Sequence, residues 1–277
     1  MWQIGEIKHR ALYYMHASYW RSVCAALVLG IATSGIAYAV MELGISIVTA
    51  VPRVSFSWFY YDMNSQGMPV SPSLLASAFT LAGAFGVVLA VVGACIEFFL
   101  LQPIEVGCRR YFIVNHAMPG CSRASEFFHA FSSHYLNVVW TMLLKTVYTI
   151  LWGLLLVIPG WIALTFVPQL SFVPYLALIP LAFPALIKHY AYRLIPYILA
   201  EEPGMDFDDV IRLSRRMMKG NKWHAFLLDL SFLGWKILNV FTLGILGFFY
   251  VGPYRQSANA EMYISIRDTF LQRQNNQ

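Results

Sequence analysis

Residues 74–101 read LLASAFTLAGAFGVVLAVVGACIEFFLL. The run has one charged side chain, Glu97, and is longer than the roughly 20 apolar residues that a transmembrane helix needs. Three further apolar runs cover residues 22–41, 136–158 and 174–187 with its flanks. These four runs predict an integral membrane protein.

The composition of the whole chain agrees with this prediction. Of its 277 residues, 58% are apolar and 12% are charged, and the mean hydropathy is +0.59. Soluble domains usually carry about 25% charged residues. A chain of this length and composition has little room for a large soluble domain beside its membrane segments.

Basic residues are concentrated in four segments. Residues 1–21, 102–135, 188–222 and 253–277 contain 16 of the 19 Lys and Arg residues. Because cytoplasmic segments of membrane proteins are enriched in Lys and Arg, all four segments are predicted to be cytoplasmic. Both termini are then inside, so the number of crossings is even, and six crossings fit best.

The last two crossings come from one long apolar stretch. As a single helix, residues 225–254 would extend about 45 Å, whereas the hydrocarbon core is about 30 Å thick. A break within residues 242–247 gives two spans, 223–241 and 247–271. The second span is predicted to face protein and to leave the bilayer early, because it contains four polar or helix-bending residues. They are Pro253, Arg255, Asn259 and Glu261.

The six crossings follow a recurring pattern. Each short amphipathic segment leads through an aromatic corner into an apolar run that turns and returns. The first two returning runs end at Arg109 and Arg193, each ten residues before the Pro of a Pro-Gly pair. The predicted fold is therefore an all-α, polytopic membrane helical bundle with three parallel hairpin repeats. Residues 1–277 form one membrane domain, with repeats at 1–120, 121–204 and 205–277.

The amphipathic segments, residues 4–18, 122–134 and 206–219, are predicted to be interfacial helices. In the third, Asp206 is the expected N-cap and Gly220 the expected C-terminal glycine. Its basic side chains lie off the apolar face and form a candidate contact for anionic lipid or a partner protein. The alternative is that they only determine topology. The cluster consists of Arg212, Arg215, Arg216, Lys219 and Lys222.

Charged side chains at membrane depth are candidate functional residues, because placing them there is costly. The candidates are Glu97, Lys145, Asp229, Lys236 and Glu261. The alternative for Glu97 is a structural ion pair, with Lys145 as the candidate partner, since polar side chains in membranes often serve helix packing. Asp229 and Lys236 share one face of span five, and Arg255 or Glu261 of span six are their candidate partners.

Two pairs of residues have helical spacing at matching positions of the first two repeats. Glu105 precedes Arg109 by four residues, and His189 precedes Arg193 by four residues. Side chains at this spacing are neighbours on a helix surface. A pattern that recurs between repeats is more typical of architecture than of chemistry.

The sequence contains no G-x-S-x-G, H-E-x-x-H, P-loop or G-x-G-x-x-G motif, and no C-x-x-C pair. No catalytic residue, metal or cofactor is expected. The leading hypothesis is a non-enzymatic membrane protein that binds lipid or a protein partner, including a second copy of itself, and no nucleic acid. A solute or lipid transporter with a site between the repeats is the first alternative. An intramembrane enzyme is the second.

The second half of the chain also carries motifs of a known family. They are AYRLIPYILA at residues 191–200, RRMMKG at 215–220, Trp223, LLDLSF at 227–232, Gly234-Trp235 and Pro253-Tyr254. Residues 7–20 are similar too. Together these stretches resemble domain-of-unknown-function family 975, which consists of bacterial integral membrane proteins. The resemblance covers about half of the chain, and residues 42–73 and 159–184 fit the pattern less well.

The resemblance implies a multi-pass protein of the bacterial cytoplasmic membrane and implies no activity. The family is also distantly similar to the membrane portion of some glycerophosphodiester phosphodiesterases. The soluble catalytic domain of those enzymes has no counterpart here, so their activity is not transferred to this chain.

Overall fold

The computed structural model is all-α. It describes residues 2–33, 39–50, 72–119, 122–132, 134–166 and 183–276, and these contain helices and turns but no strand. The predicted all-α fold class is therefore confirmed. Residues 51–71 and most of the predicted span at 174–187 lie outside the described residues.

Twelve α-helices are described. They are α1 (Ile4–Ala17), α2 (Tyr19–Thr33), α3 (Ala39–Ala50), α4 (Pro72–Ile96), α5 (Gln102–Ala117), α6 (Tyr135–Phe166), α7 (183–191), α8 (Ile195–Glu201), α9 (Phe207–Met217), α10 (Lys222–Leu230), α11 (Leu233–Phe241) and α12 (Gly252–Asn275). Two π-helical turns, Glu97–Leu101 and Gly247–Val251, lead into α5 and α12, and a 3₁₀ helix covers Ala124–Phe131.

Three of the helical stretches are long and apolar enough to cross a membrane. They cover Phe79–Ala117, Tyr135–Leu155 and Lys222–Phe241, while α2 and α3 are shorter apolar helices. Many large apolar side chains on these stretches are exposed, among them Leu81 and Val240. This pattern is typical of a protein whose solvent is lipid. The predicted number of six crossings stays a prediction.

The chain divides into two compact units, of which one covers residues 31–102. In this unit, α3 and α4 approach each other closely at two glycines. A Cβ atom added to Gly44 would lie 2.4 Å from the carbonyl oxygen of Gly86. Such contacts between small residues are typical of helix packing within membranes, where close approach of two backbones increases dispersion contacts.

The other unit contains residues 1–30 and 103–277 and is built around α12. The side chains of α12 are buried almost continuously from Pro253 to Ile264, and α1 is its principal neighbour. The predicted amphipathic character of residues 4–18 agrees with an apolar stripe on α1, of which Ile7, Ala11 and Met15 are fully buried. This stripe packs into the protein core.

The predicted break between the last two apolar segments is confirmed. Helix α11 ends at Phe241, and the chain then turns through Leu243 and Gly244, whose φ angles are +52° and +89°. Glycine adopts a positive φ without steric cost, which favours a turn here. Helix α12 then faces protein, as predicted, with Asn259 and Glu261 buried.

The short segments between the apolar runs are helical. Residues 122–134 contain a 3₁₀ helix, and its backbone lies directly against Gly107 of α5. Asp206 occupies the N-cap position of α9 without a side-chain capping hydrogen bond. Gly220 has a φ of +86°, in agreement with its predicted role after the helix.

Candidate functional site

Helix α9 presents its basic side chains from a firmly held position. The buried side of the helix consists of Val210, Ile211, Ser214 and Met217. The hydroxyl of Ser214 donates a 2.8 Å hydrogen bond to the carbonyl oxygen of Ala191, at the end of α7. Arg212, Arg215 and Arg216 lie off this buried side and are exposed. The helix therefore holds its arginines at fixed distances from α7.

Six cationic side chains converge on one cavity beside α9. The cavity has a volume of about 360 Å³. Its lining, which we call the basic pocket, consists of Ala191, Lys188, Arg212, Arg215, Arg216, Lys219 and Lys222. The structure thus brings together all five residues of the predicted basic cluster. It adds Lys188 from α7, which is remote in sequence and was recognised only as one of the topology-determining cations.

Few negative charges neutralise the basic pocket. Among the described residues, one cation of the pocket has a carboxylate within 4.0 Å. It is Arg212, which lies 3.9 Å from Asp208. Both of these side chains are largely exposed, so solvent screens the pair strongly. The ammonium of Lys188 lies 4.6 Å from the ring centroid of Trp152, a cation–π contact that positions the charge without neutralising it.

The chemistry of the basic pocket favours a multivalent anion. Like charges held at this density repel one another, and Lys188 and Arg215 both act on the charge of Lys222. A bound anion relieves that repulsion. Guanidinium groups also donate two parallel hydrogen bonds to phosphate oxygens. The pocket therefore has the charge and the donors of a phosphate site.

Asp229, a predicted intramembrane candidate, lies in a closed ion-pair network. Arg193 donates hydrogen bonds to both of its carboxylate oxygens, at 2.6 and 3.0 Å. The hydroxyl of Tyr190 donates a third, at 2.9 Å, and Arg255 of α12 lies 3.6 Å away. Burial and the Asp229 carboxylate raise the pKa of Tyr190 to about 12, so this hydroxyl stays a donor at neutral pH.

Arg109, the residue predicted to match Arg193 in the first repeat, is at the centre of a similar network. It donates to Glu105 at 3.1 Å, so the predicted pair of these two residues is confirmed. It also donates to the Tyr197 hydroxyl at 2.9 Å and to Gln256 at 2.6 Å. Both networks therefore reach α12.

The expected pairing within the second repeat is not formed. Arg193 donates to Asp229 and to Asn259, at 2.8 Å, instead of contacting His189 as a partner. Two basic side chains repel each other when both are protonated, and burial, followed by the charge of Arg193, lowers the pKa of His189. An aspartate from a distant helix satisfies the guanidinium better than the neighbouring imidazole does.

The remaining charged candidates are dispersed. Lys145 on α6 is half-buried and interacts electrostatically with Glu105. Lys236 is exposed on α11. Glu261 is buried on α12 and pairs with His116, a contact that sequence reasoning missed because the two residues are 145 positions apart. Glu97 begins the first π-helical turn, in the unit formed by residues 31–102.

Within the described ranges, no three His, Cys, Asp or Glu side chains are grouped as metal ligands would be. The basic pocket, in contrast, is built from hydrogen-bond donors and positive charge.

Comparison with family models identifies the relatives of this chain. A model described as "protein of unknown function (DUF975)" matches residues 1–269. The chain belongs to the DUF975 family. No curated protein matches it, and no solved structure matches it either. The comparisons do not show the expected distant similarity to glycerophosphodiester phosphodiesterases. Membership in DUF975 assigns no activity, so function has to be inferred from the site.

Proposed function

We propose that this DUF975 protein is a non-enzymatic membrane protein that binds phosphate-bearing headgroups of anionic lipids in the basic pocket. The observation that carries the proposal is the convergence of six cations on one cavity of about 360 Å³. They come from α7, from α9 and the turn that follows it, and from the start of α10. A single exposed carboxylate lies within ion-pair distance of these cations among the described residues. Basic clusters next to membrane segments attract anionic lipids, with each charge contributing about 1 kcal/mol.

The ion-pair networks support binding over transport. A transport site needs polar groups that are available to a passing solute, whereas the charges of Asp229 and Arg109 are engaged by neighbouring helices. Breaking such partly buried pairs is costly. They are therefore better suited to holding helices together than to forming a translocation path. We therefore favour a lipid-binding protein over a transporter.

We further propose the finer architecture of six crossings in three parallel hairpins, in a bacterial cytoplasmic membrane with both termini inside. The two π-helical turns support the repeat, because each leads directly into a helix with Pro at its second position, Pro103 in α5 and Pro253 in α12. The turn at residues 242–244 supports the division of the last apolar stretch into two spans.

The topology is tested with single cysteines and a membrane-impermeant thiol reagent on intact cells. Leu243→Cys is expected to react from outside and Asn276→Cys only after permeabilisation, because the two positions lie at opposite ends of the last segment. Reaction of both positions from the same side contradicts the six-crossing arrangement.

Lipid binding is tested on the purified full chain in a neutral detergent, by native mass spectrometry with added phosphatidylglycerol or phosphatidylcholine. The double variant Arg215→Gln/Arg216→Gln is expected to bind phosphatidylglycerol about 30-fold more weakly, because each lost charge costs about 1 kcal/mol. Added salt is expected to reduce the difference by screening. Soluble glycerol phosphate is included as a competitor, to separate recognition of a free phosphate from recognition of a lipid.

The matched control removes the same charge elsewhere. Arg10→Gln/Arg273→Gln changes two exposed arginines outside the basic pocket. We expect this variant to bind phosphatidylglycerol like the unmodified protein. Equal weakening by both double variants indicates an effect of net charge alone and contradicts a site at the pocket.

A further inference from the structure

A second cavity lies between α2, α5 and the 3₁₀ helix, and all of its lining residues come from the first half of the chain. It is a groove of about 720 Å³, within the range of about 300–1,000 Å³ that is typical of small-molecule sites. Trp20, Cys24 and Phe127 give it apolar walls. We call it the amphipathic groove, because most of its remaining lining is polar.

One residue of the groove lining, Tyr111, carries a buried hydroxyl that is unsatisfied among the described residues. Tyr111 lines the groove and is 1% exposed, and its hydroxyl has no hydrogen-bond partner among the described residues. The hydroxyl of Ser122, in contrast, donates to Asn115 at 3.2 Å. A buried hydroxyl without a partner costs free energy, and a ligand oxygen in the groove removes that cost.

Positive charge lies along the same lining. Arg21 and Arg123 contribute exposed side chains to the groove, and none of the lining residues is acidic. The nearby Glu126 of the 3₁₀ helix is engaged by Arg110 at 2.8 Å, which reduces its effect on the groove. Trp20 is 69% exposed at the start of an apolar helix, a position typical of the interfacial aromatic belt.

We propose that the amphipathic groove binds one anionic phospholipid of the surrounding bilayer. The phosphate lies between Arg21 and Arg123, a lipid oxygen accepts a hydrogen bond from the Tyr111 hydroxyl, and an acyl chain lies along Trp20 and Phe127. Charge complementarity selects the anionic headgroup, and the apolar walls bind the acyl chain. The groove differs from the basic pocket in this respect, since the pocket lining contains one apolar residue, Ala191.

The test uses the protection of Cys24 from a maleimide, followed site by site with peptide mass spectrometry. Cys24 is exposed and lines the groove, whereas Cys95 is exposed and does not line it. Added phosphatidylglycerol is expected to slow modification of Cys24 about tenfold at a lipid concentration about ten times Kd, in proportion to the unoccupied fraction. Phosphatidylcholine is expected to give little protection, and modification of Cys95 to stay constant.

Two conservative variants test the polar contacts. Tyr111→Phe removes only the hydroxyl and is expected to raise the Kd roughly tenfold, as for a hydrogen bond to a charged group. Arg123→Gln removes an exposed charge and is expected to raise the Kd about fivefold. Arg215→Gln/Arg216→Gln, which affects only the basic pocket, is expected to leave the protection of Cys24 unchanged.

The outcomes separate this proposal from the first. Loss of protection in Arg215→Gln/Arg216→Gln overturns the independence of the groove from the basic pocket. Equal protection by the two lipids, or equal slowing at Cys24 and Cys95, overturns the binding of an anionic lipid in the groove. Protection that survives in both Tyr111→Phe and Arg123→Gln overturns the assigned contacts. If the groove binds lipid and the basic pocket does not, this inference is supported and the proposed function of the pocket is contradicted.

Discussion

Arg193 and Asp229, which are 36 residues apart, form a two-pronged hydrogen-bonded ion pair with N–O distances of 2.6 and 3.0 Å. Their side chains are 13% and 22% exposed. The pair connects the end of α7 to α10, and Arg255 brings α12 to the same carboxylate. Three helices that are distant in sequence thus share one negative charge.

Removing that charge is expected to be strongly destabilising. Asp229→Asn leaves Arg193 and Arg255 without their carboxylate, and breaking a buried pair on one side typically costs about 3–5 kcal/mol, a range that partial exposure lowers here. The measurement is thermal unfolding in detergent. The double variant Arg193→Met/Asp229→Leu is expected to be more stable than Asp229→Asn. A double variant that is equally unstable contradicts the role of the ion pair.

Gly107 tests the contact between α5 and the 3₁₀ helix. A Cβ atom at this position would lie 2.0 Å from the carbonyl oxygen of Phe127, so Gly107→Ala forces two backbones apart. We expect a loss of about 1–3 kcal/mol in unfolding free energy, as for other overpacked sites. In the control variant, Gly5→Ala on α1, the new Cβ meets nothing within 4 Å. That change is expected to stabilise the protein by up to about 1 kcal/mol through helix propensity. Similar effects of the two changes contradict the close backbone contact.

The turn after α11 contains a residue with a strained backbone, and a substitution can relieve that strain. Leu243 has a φ of +52° and is 91% exposed, so its side chain contributes little packing to offset the strain. Leu243→Gly is expected to raise the unfolding free energy by about 1 kcal/mol, because glycine adopts this conformation readily. Gly244→Ala, at a φ of +89°, is expected to lower it by a similar amount. Thermal unfolding measures both changes. If both variants change the unfolding free energy in the same direction, the positive φ angles assigned to this turn are contradicted.

Lys188 distinguishes the basic pocket from the basic cluster recognised in the sequence. If the pocket is the binding site, Lys188→Gln weakens binding of phosphatidylglycerol about fivefold, through loss of about 1 kcal/mol. The matched control is Lys236→Gln, which removes an exposed lysine outside the pocket. Native mass spectrometry in the same detergent measures both. Unchanged binding by Lys188→Gln restricts the site to residues of α9 and its C-terminal flank.

Several local features were predictable from the sequence because they depend on neighbouring residues. The stripe of Ile7, Ala11 and Met15 has helical spacing, and all three residues are buried. The length of the apolar stretch 225–254 required a break, and the turn lies at residues 242–244. Both predictions follow from helix geometry and from the thickness of a bilayer.

Other features depend on contacts that spacing does not encode. Sequence spacing associated His189 with Arg193, whereas the structure pairs Arg193 with Asp229. His116 and Glu261 likewise meet across 145 positions. In each case a charge that folding removes from solvent takes the best available partner in space, whatever its distance along the chain.

By itself, the sequence determined the all-α membrane character of this protein, its amphipathic segments and the residues of its basic cluster. These properties follow from hydropathy, periodicity and local charge. Only the tertiary structure decided that Lys188 joins this cluster in a cavity and that Arg193 pairs with Asp229. It also decided that Tyr111, whose hydroxyl has no partner among the described residues, lines the same groove as Arg123. The reason is that cavities and ion pairs arise where distant helices pack together, and helix packing depends on the whole fold.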